Sequence, residues 1–280
     1  MAKTKSPPQS LSELLIARSG EDLRRHDTTA TPGFTRGKEA AKAAMPALSD
    51  EVAALQERLY AEADGGGRRS VLLVVQGMDT SGKGGIMRHV VGAVDPQGIR
   101  HTAFKAPTAE EREHDFLWRI RRALPAAGEI GVFDRSHYED VLIVRVEDLV
   151  PEPVWRDRYA HIRHFEDVLA DAGTSVVKVF LHISKDEQAE RFRARLDTPE
   201  KRWKFSAADL EVRARWDRYQ EAYEDAINET STERNPWYVV PADRKWFRDF
   251  AVSQIVRQEL EQLPLRWPKP DYDPRLVRIS

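Results

Sequence analysis

Val71-Leu72-Leu73-Val74-Val75-Gln76-Gly77-Met78-Asp79-Thr80-Ser81-Gly82-Lys83-Gly84-Gly85 is the stretch that decides the fold. Its first five residues form a continuous apolar run, as a parallel strand buried on both faces requires. The loop that follows contains G-x-x-x-x-G-K, and a helical segment begins at Ile86. Glycines let the backbone curl so that successive N–H groups point inward at phosphate oxygens, and the helix N-terminus adds partial positive charge. Gly77, Thr80, Ser81, Gly82, Lys83, Gly84 and Gly85 are therefore candidate phosphate-binding residues, with Lys83 supplying a full positive charge. The alternative is a glycine-rich turn that binds nothing. The strand before the loop and the helix after it argue against that.

The loop departs from its usual pattern at one place. The Ser or Thr that follows the lysine and ligates Mg²⁺ is replaced by Gly84. Asp79, inside the loop, is the best substitute ligand, because a carboxylate there would repel bare phosphate unless a cation sat between them. A second motif, Val132-Phe133-Asp134-Arg135-Ser136-His137-Tyr138, follows an apolar stretch at 130–133. An Asp at the C-terminal end of a strand near a phosphate loop is the Walker B arrangement that holds Mg²⁺. Arg135 is placed to neutralise a transferred phosphoryl group. An ordinary helix N-cap is the competing reading of Asp134 taken alone.

Outward from this unit, residues 99–104, 176–182 and 237–240 are further strand candidates, with helical stretches between them. Strands alternating with helices predict an α/β fold, a three-layer P-loop NTPase-like parallel sheet flanked by helices. Residues 37–63 read as a helix interrupted at Pro46 and stopped by Asp64-Gly65-Gly66-Gly67. Residues 1–36 are expected as a loosely ordered arm with one short helix at 11–17. Residues 37–280 are expected as one phosphotransferase domain with a helical lid over about 184–230. Two stripes at helical spacing, Trp155, Tyr159, Ile162, Phe165, Leu169 and Val212, Trp216, Tyr219, Tyr223, Ile227, read as core. An aromatic near the end of the second helix is an alternative base contact.

Ser184-Lys185-Asp186-Glu187 is a capping box that opens a helix. On that helix Arg191 and Arg195 lie four apart and share a face, from which both are expected to reach over bound phosphates. Lys201, Arg202 and Lys204 follow in a short turn. A solvated helix paired with Glu187 and Glu190 is the bland alternative. Arg119, Arg121 and Arg122 form another basic cluster with no assigned role.

Bulk properties exclude several classes. In 280 residues, 44 Lys and Arg nearly balance 46 Asp and Glu, so any polyanion site must come from local clustering and a nucleic-acid partner is not expected. No cysteine is present, which removes disulfides and thiolate metal sites and fits a cytoplasmic protein. The longest apolar run is far too short to cross a bilayer, so no membrane partner is expected. Met1 to Ser10 has no apolar run of the signal-peptide kind.

Taken together, the motifs resemble the second family of polyphosphate kinases, over about residues 55–263. The resemblance is carried by GMDTSGKGG at 77–85, HTAFKAPTAEEREHDFLWR at 101–119, FDRSHYEDVLIVRV at 133–146 and FLHISKDEQAERFRARLDTPEKRWKF at 180–205. WDRYQEAYEDAINETST at 216–232 and PWYVVPADRKWFR at 236–248 add to it. The resemblance implies a thymidylate-kinase-like fold with Mg²⁺ as cofactor. It implies reversible transfer between inorganic polyphosphate and nucleoside mono- or diphosphates, with adenine nucleotides first and guanine nucleotides as a further option. Carried over by position, Asp79 and Asp134 organise the metal, Lys83 and Arg135 hold phosphates, and Arg195 stabilises the transferred group. Lys105 and Arg191 join the ligand-binding set. A homodimer or homotetramer is also implied, and the wording around Glu139-Asp140-Val141-Leu142 is similar to the subgroup that accepts AMP and ADP. An ATP-dependent nucleotide kinase and a non-catalytic nucleotide or polyphosphate sensor are the competing readings. The missing hydroxyl after Lys83 weighs against the first, and retention of both acids and the arginines weighs against the second.

Overall fold

A computed structural model of the protein describes residues 10–279. Its centre is strand β1, Ser70–Gln76, buried along its whole length. The other strands are β2 (Ile99–Ala103), β3 (Ile130–Asp134), β4 (Thr174–His182) and β5 (Trp237–Pro241). All pairings are parallel and the order is β2-β3-β1-β4-β5. The five strands expected from the sequence all form. The central ones are continuous apolar runs because helices cover both of their faces. Edge strand β2, with Arg100 and His101, is half exposed.

Strand parity on β4 separates the two faces. Lys178 reaches Glu166 and the carbonyl of Thr230, on helices Glu152–Asp171 and Trp216–Thr230. Ser175, of opposite parity, hydrogen-bonds Glu259 on helix Lys245–Gln262. That helix packs along helix Gly37–Asp64, so each face of the sheet carries a pair of helices and the architecture is three-layered α/β. Register brings the ends that matter to one edge. Val75 and Ala103 both pair with Asp134, and Gln76 pairs with Phe180. The phosphate loop, Asp134 and the residues after β4 and β5 therefore lie at the carboxyl ends of the strands, where open parallel sheets bind ligands.

Three expectations about the chain's organisation need correction. Helix Gly37–Asp64 runs through Pro46 without interruption. Proline removes one helical hydrogen bond and costs about 3 kcal/mol, and burial of Ala41, Leu48, Val52 and Leu59 on one stripe offsets it. The N-terminal segment from residue 10 is a packed strap and not a loose arm. Leu15, Leu23 and Phe34 are buried, Ile16 bridges Tyr238 beside β5, and Asn228 exchanges two hydrogen bonds with the backbone of Glu21. Its helix is one 3-10 turn, Glu13–Leu15, and residues 1–9 lie outside the described part. The lid is shorter than expected, because Trp216, Tyr219, Tyr223 and Ile227 of helix Trp216–Thr230 are core residues. Of the expected lid, residues 193–215 are mostly exposed, Leu196, Trp203 and Leu210 among them. Among the described residues no helix is long and apolar enough to cross a membrane.

Candidate active site

The phosphate loop lies between β1 and a helix that begins at Lys83. Gly77 and Gly82 take φ values of 149° and 116°, which only glycine adopts freely, and Thr80 is held at 63° without that freedom. Lys83 is folded back on the loop, donating to the carbonyls of Gly77 at 2.7 Å and Met78 at 3.4 Å. Burial pushes its ammonium down, opposed by the carboxylates of Asp79 and Asp134. The hydroxyls of Thr80 and Ser81 are buried without a partner. A side chain at Gly84 would meet nothing, so space does not explain the missing hydroxyl there.

Asp79 and Arg135 face each other across the cleft, with the guanidinium donating at 3.1 Å. Burial alone would lower the Arg135 pKa. Glu139, Asp79 and Asp134 outweigh it and raise it well above the usual value. Arg135 sits in the left-handed region at φ 64°, a conformation that costs about 1–3 kcal/mol and persists only where neighbours fix it. The residues after it supply that fixing. Ser136 caps the turn that follows and donates to the side-chain oxygen of Gln76 at 3.1 Å, while the Gln76 amide nitrogen donates to Glu139. Tyr138 donates to Glu166 at 2.7 Å, and Lys178 binds the same carboxylate at 2.6 Å with neither charge exposed to solvent. Asp140 pairs with Arg158 at 3.2 Å. Glu139 turns back toward the cleft, and burial pushes its carboxyl up against the pull of Arg135 and Lys83.

The lid helix, Lys185–Asp197, is bolted to the loop at its base. Gln188 donates to the carbonyl of Asp79 at 3.0 Å. Arg191 is buried, with one guanidinium nitrogen on the carbonyls of Thr80 (2.8 Å) and Ser81 (2.9 Å). Its other terminal nitrogen binds the carbonyls of Ala242 (2.6 Å) and Asp243 (3.0 Å), and Nε binds Glu187. Every donor of Arg191 is thus engaged by the protein, and the side chain clamps the loop carbonyls from the wall of the cleft. Arg195 does line the cleft, hydrogen-bonded to the carbonyl of Lys204 and within 3.9 Å of Asp209. Arg248 arrives from helix Lys245–Gln262 and lies flat against the loop. A Cβ at Gly82 would stand 1.7 Å from its guanidinium and one at Gly85 2.3 Å, so a side chain at either would displace Arg248, and the positive φ of Gly82 favours glycine there in any case.

These groups enclose a cleft of about 840 Å³, which Asp79, Lys83 and Asp134 also line. Eight of its lining residues are Lys or Arg and three are acids. The cations include Arg88, Lys201, Lys204 and Lys245, a basic wall that the near-neutral composition of the chain conceals. Lys105 is not brought to this cleft. It is exposed in a separate groove of about 440 Å³ beside β2, with Arg100, Arg119 and Arg122. Arg119 is buried there and donates to the Lys105 carbonyl at 2.8 Å, while Arg121 pairs with Asp115 at 2.9 Å.

Among the described residues no group of three or more His, Asp and Glu side chains gathers as a metal cage. Asp79 and Asp134 line one cleft at the loop and act on the same lysine, as Glu139 also does. Two carboxylates suit a hard divalent cation that keeps several waters and takes its remaining oxygens from substrate phosphates. The residues present therefore fit such an ion.

Comparison with known proteins settles which family uses this arrangement. The family model described as polyphosphate kinase 2 matches residues 35–266. The chain belongs to the polyphosphate kinase 2 family. Its relatives include the AMP/ADP-polyphosphate phosphotransferase of Meiothermus ruber, 52% identical over 250 residues that cover 89% of this chain and 92% of that protein. The ADP-polyphosphate phosphotransferase of Rhodopseudomonas palustris is 46% identical over 260 residues, covering 89% and 88%. The crystal structure of polyphosphate kinase 2 from Arthrobacter aurescens TC1 superposes with a TM-score of 0.93 at 52% identity, covering 95% of this chain and 94% of that one. Phosphotransferases of this family generally use a divalent metal.

Within this polyphosphate kinase 2 fold, four site residues escaped the motif reading. Gln188, Asp209, Glu139 and Arg248 lie in the quoted segments or between them, yet no spacing rule singles them out. Burial pushes the Asp209 carboxyl up, and the Asp79 carboxylate adds to this. The only available signal for Arg248 was the pair of glycines at 82 and 85 that make room for it.

Proposed function

We propose that this member of the polyphosphate kinase 2 family moves phosphoryl groups reversibly between inorganic polyphosphate and the adenine nucleotides AMP and ADP, with Mg²⁺ as the divalent ion. The observation that carries the reading is the charge pattern of the cleft, with eight Lys or Arg around three acids, two of which flank the phosphate loop. A polyanion of many units needs cations along its length, and acids only where a metal ion sits at the transfer point. The names of the relatives in Meiothermus ruber and Rhodopseudomonas palustris supply the same donor and acceptors.

Phosphoryl transfer asks little covalent chemistry of the protein. It needs two anionic ends held in line and the charge between them neutralised. Asp79 and Asp134 would hold the metal, which when bound neutralises charge on bridging phosphate oxygens. Lys83, folded onto two loop carbonyls, would exchange those acceptors for phosphate oxygens. Arg135, held by Asp79 and the left-handed turn, would neutralise the transferred phosphoryl group. Arg195 approaches from the lid and opposes the charge that builds during transfer. The polyphosphate chain lies along Arg88, Lys201, Lys204, Lys245 and Arg248, where the wall is cationic. Gly77, Thr80, Gly82 and Gly84 present backbone N–H groups to the phosphates, those of Ser81 and Gly85 being bonded to the carbonyls of Met78 and Gly82, and Arg191 holds the carbonyls of Thr80 and Ser81.

The test is an assay with polyphosphate, Mg²⁺ and either AMP or ADP, with product nucleotide resolved by chromatography. ADP or ATP should appear, and a chelator should stop it. Transfer from ATP to a non-polyphosphate acceptor, with no turnover of polyphosphate, would establish the nucleotide-kinase reading in its place.

A further inference from the structure

One continuous set of hydrogen bonds links the N-terminal strap to the phosphate loop. The hydroxyl of Thr28 donates to Asp243 Oδ2 at 2.7 Å, and the Asp243 N–H donates back to the Thr28 carbonyl at 3.2 Å. The other carboxylate oxygen of Asp243 accepts from the N–H of Ser184 at 2.8 Å, and Ser184 caps the lid helix. The carbonyls of Ala242 and Asp243 then receive one nitrogen of Arg191, while its neighbouring nitrogen holds the carbonyls of Thr80 and Ser81. A guanidinium is a rigid planar fork, so fixing one prong fixes the other. The loop needs such fixing, because Thr80 is a non-glycine residue at φ 63° and its hydroxyl has no partner. The family match begins at residue 35, so Thr28 lies before it.

We propose that Thr28 and Asp243 are positioning residues for the phosphate loop, acting through Arg191. The strap holds the turn after β5, that turn holds one side of the Arg191 fork, and the other side sets which way the loop carbonyls face. The Ser81 carbonyl turned toward Arg191 leaves the N–H of Gly82 on the opposite side of the same peptide, while the Ser81 N–H is bonded to the Met78 carbonyl, so the strap acts on phosphate affinity through Gly82 without touching phosphate. The same turn fixes the first residue of the lid helix, which ties the base of the lid to the loop as one unit. The proposal rests on the reading of the loop as a phosphate site and not on the identity of the donor.

The experiment uses the full-length chain with Thr28→Val, Thr28→Ser, Arg191→Lys and the Thr28→Val/Arg191→Lys pair. Tripolyphosphate affinity is measured by calorimetry, and kcat and KM by steady-state kinetics. Thr28→Val should weaken tripolyphosphate binding by about threefold to tenfold, less than the full worth of one hydrogen bond to a charged group because the effect reaches the phosphate indirectly. Thr28→Ser, which keeps the hydroxyl, should bind as the wild type does. In the Arg191→Lys background Thr28→Val should add nothing, since the fork that carries its effect is gone. A melting temperature for each variant separates loosened folding from loosened positioning. Full additivity of the two substitutions, unchanged affinity in Thr28→Val, or equal losses in Thr28→Val and Thr28→Ser would overturn the proposal. Wild-type protein that binds tripolyphosphate without turning over polyphosphate would refute the proposed function and leave this test intact.

Discussion

Arg191 and Arg195 stand one helical turn apart and share a sequence context, yet the chain uses them differently. Helical spacing places both on the loop side of the lid helix, and that much was legible. Which of them spends its donors on protein carbonyls depends on the turn at Ala242-Asp243, 51 residues beyond Arg191, which no local pattern reveals. Arg195→Ala should lower kcat by at least about 10²-fold with a smaller change in KM, because its charge counts most during transfer. Arg191→Ala should fail differently, losing about 3 kcal/mol of stability as loop and turn carbonyls and Glu187 lose their partner. Denaturant midpoints and steady-state kinetics on the two variants read these outcomes. An Arg191→Ala protein of wild-type stability would show that the clamp is dispensable. Asp79→Asn and Asp134→Asn should each reduce turnover by several orders of magnitude with the fold intact, since about 1.4 kcal/mol of lost stabilisation is tenfold in rate. Near-wild-type turnover in both would remove the two-acid proposal. Both acids were legible because one interrupts a glycine loop and the other ends an apolar strand.

At the scale of elements, the strands could be read and their fastenings could not. Apolar runs marked β1, β3, β4 and β5, because burial on both faces leaves little room for polar alternation, whereas the half-exposed edge strand β2 carries Arg100 and His101. Pro46 misled because a local rule was applied where packing against helix Lys245–Gln262 decides. The anchoring of the turn after Arg135 through Tyr138, Glu166 and Lys178 joins three distant segments and leaves no local signature. Strand β4 also carries a titratable group whose state follows from its burial. Desolvation, and then the neighbouring His26, push His182 down to about 4 from 6.5. An unfolded chain takes up that proton near 6.5 and the folded one only near 4, so stability present above pH 6.5 is lost as pH falls toward 4. At pH 5 this amounts to about 2 kcal/mol, at about 1.4 kcal/mol per unit. Urea midpoints at pH 7.5 and pH 5 should therefore fall further for the wild type than for His182→Gln. Equal falls in the two proteins would contradict a buried neutral imidazole.

For the molecule as a whole, net charge was a poor guide. Basic and acidic residues almost cancel in the composition, and folding sorts them so that cations collect around one cleft. That sorting brings Arg88, Arg195, Lys204, Lys245 and Arg248 together from four separate segments, which only the tertiary structure can do. Long polyphosphate should bind more weakly as salt rises, because exposed charges are screened within about 8–10 Å at physiological ionic strength. Affinity independent of salt between low and high ionic strength would argue against the cationic wall. The claim beneath all of this is that the cleft passes phosphate from polyphosphate to a nucleotide between Asp79 and Asp134. The most direct measurement is to supply ³²P-labelled polyphosphate with ADP and Mg²⁺ and to ask where the label goes. The account predicts label in the terminal phosphate of ATP with the wild-type protein and almost none with Asp79→Asn or Asp134→Asn. Unlabelled ATP with the wild type, or label transferred equally well by both variants, would contradict it.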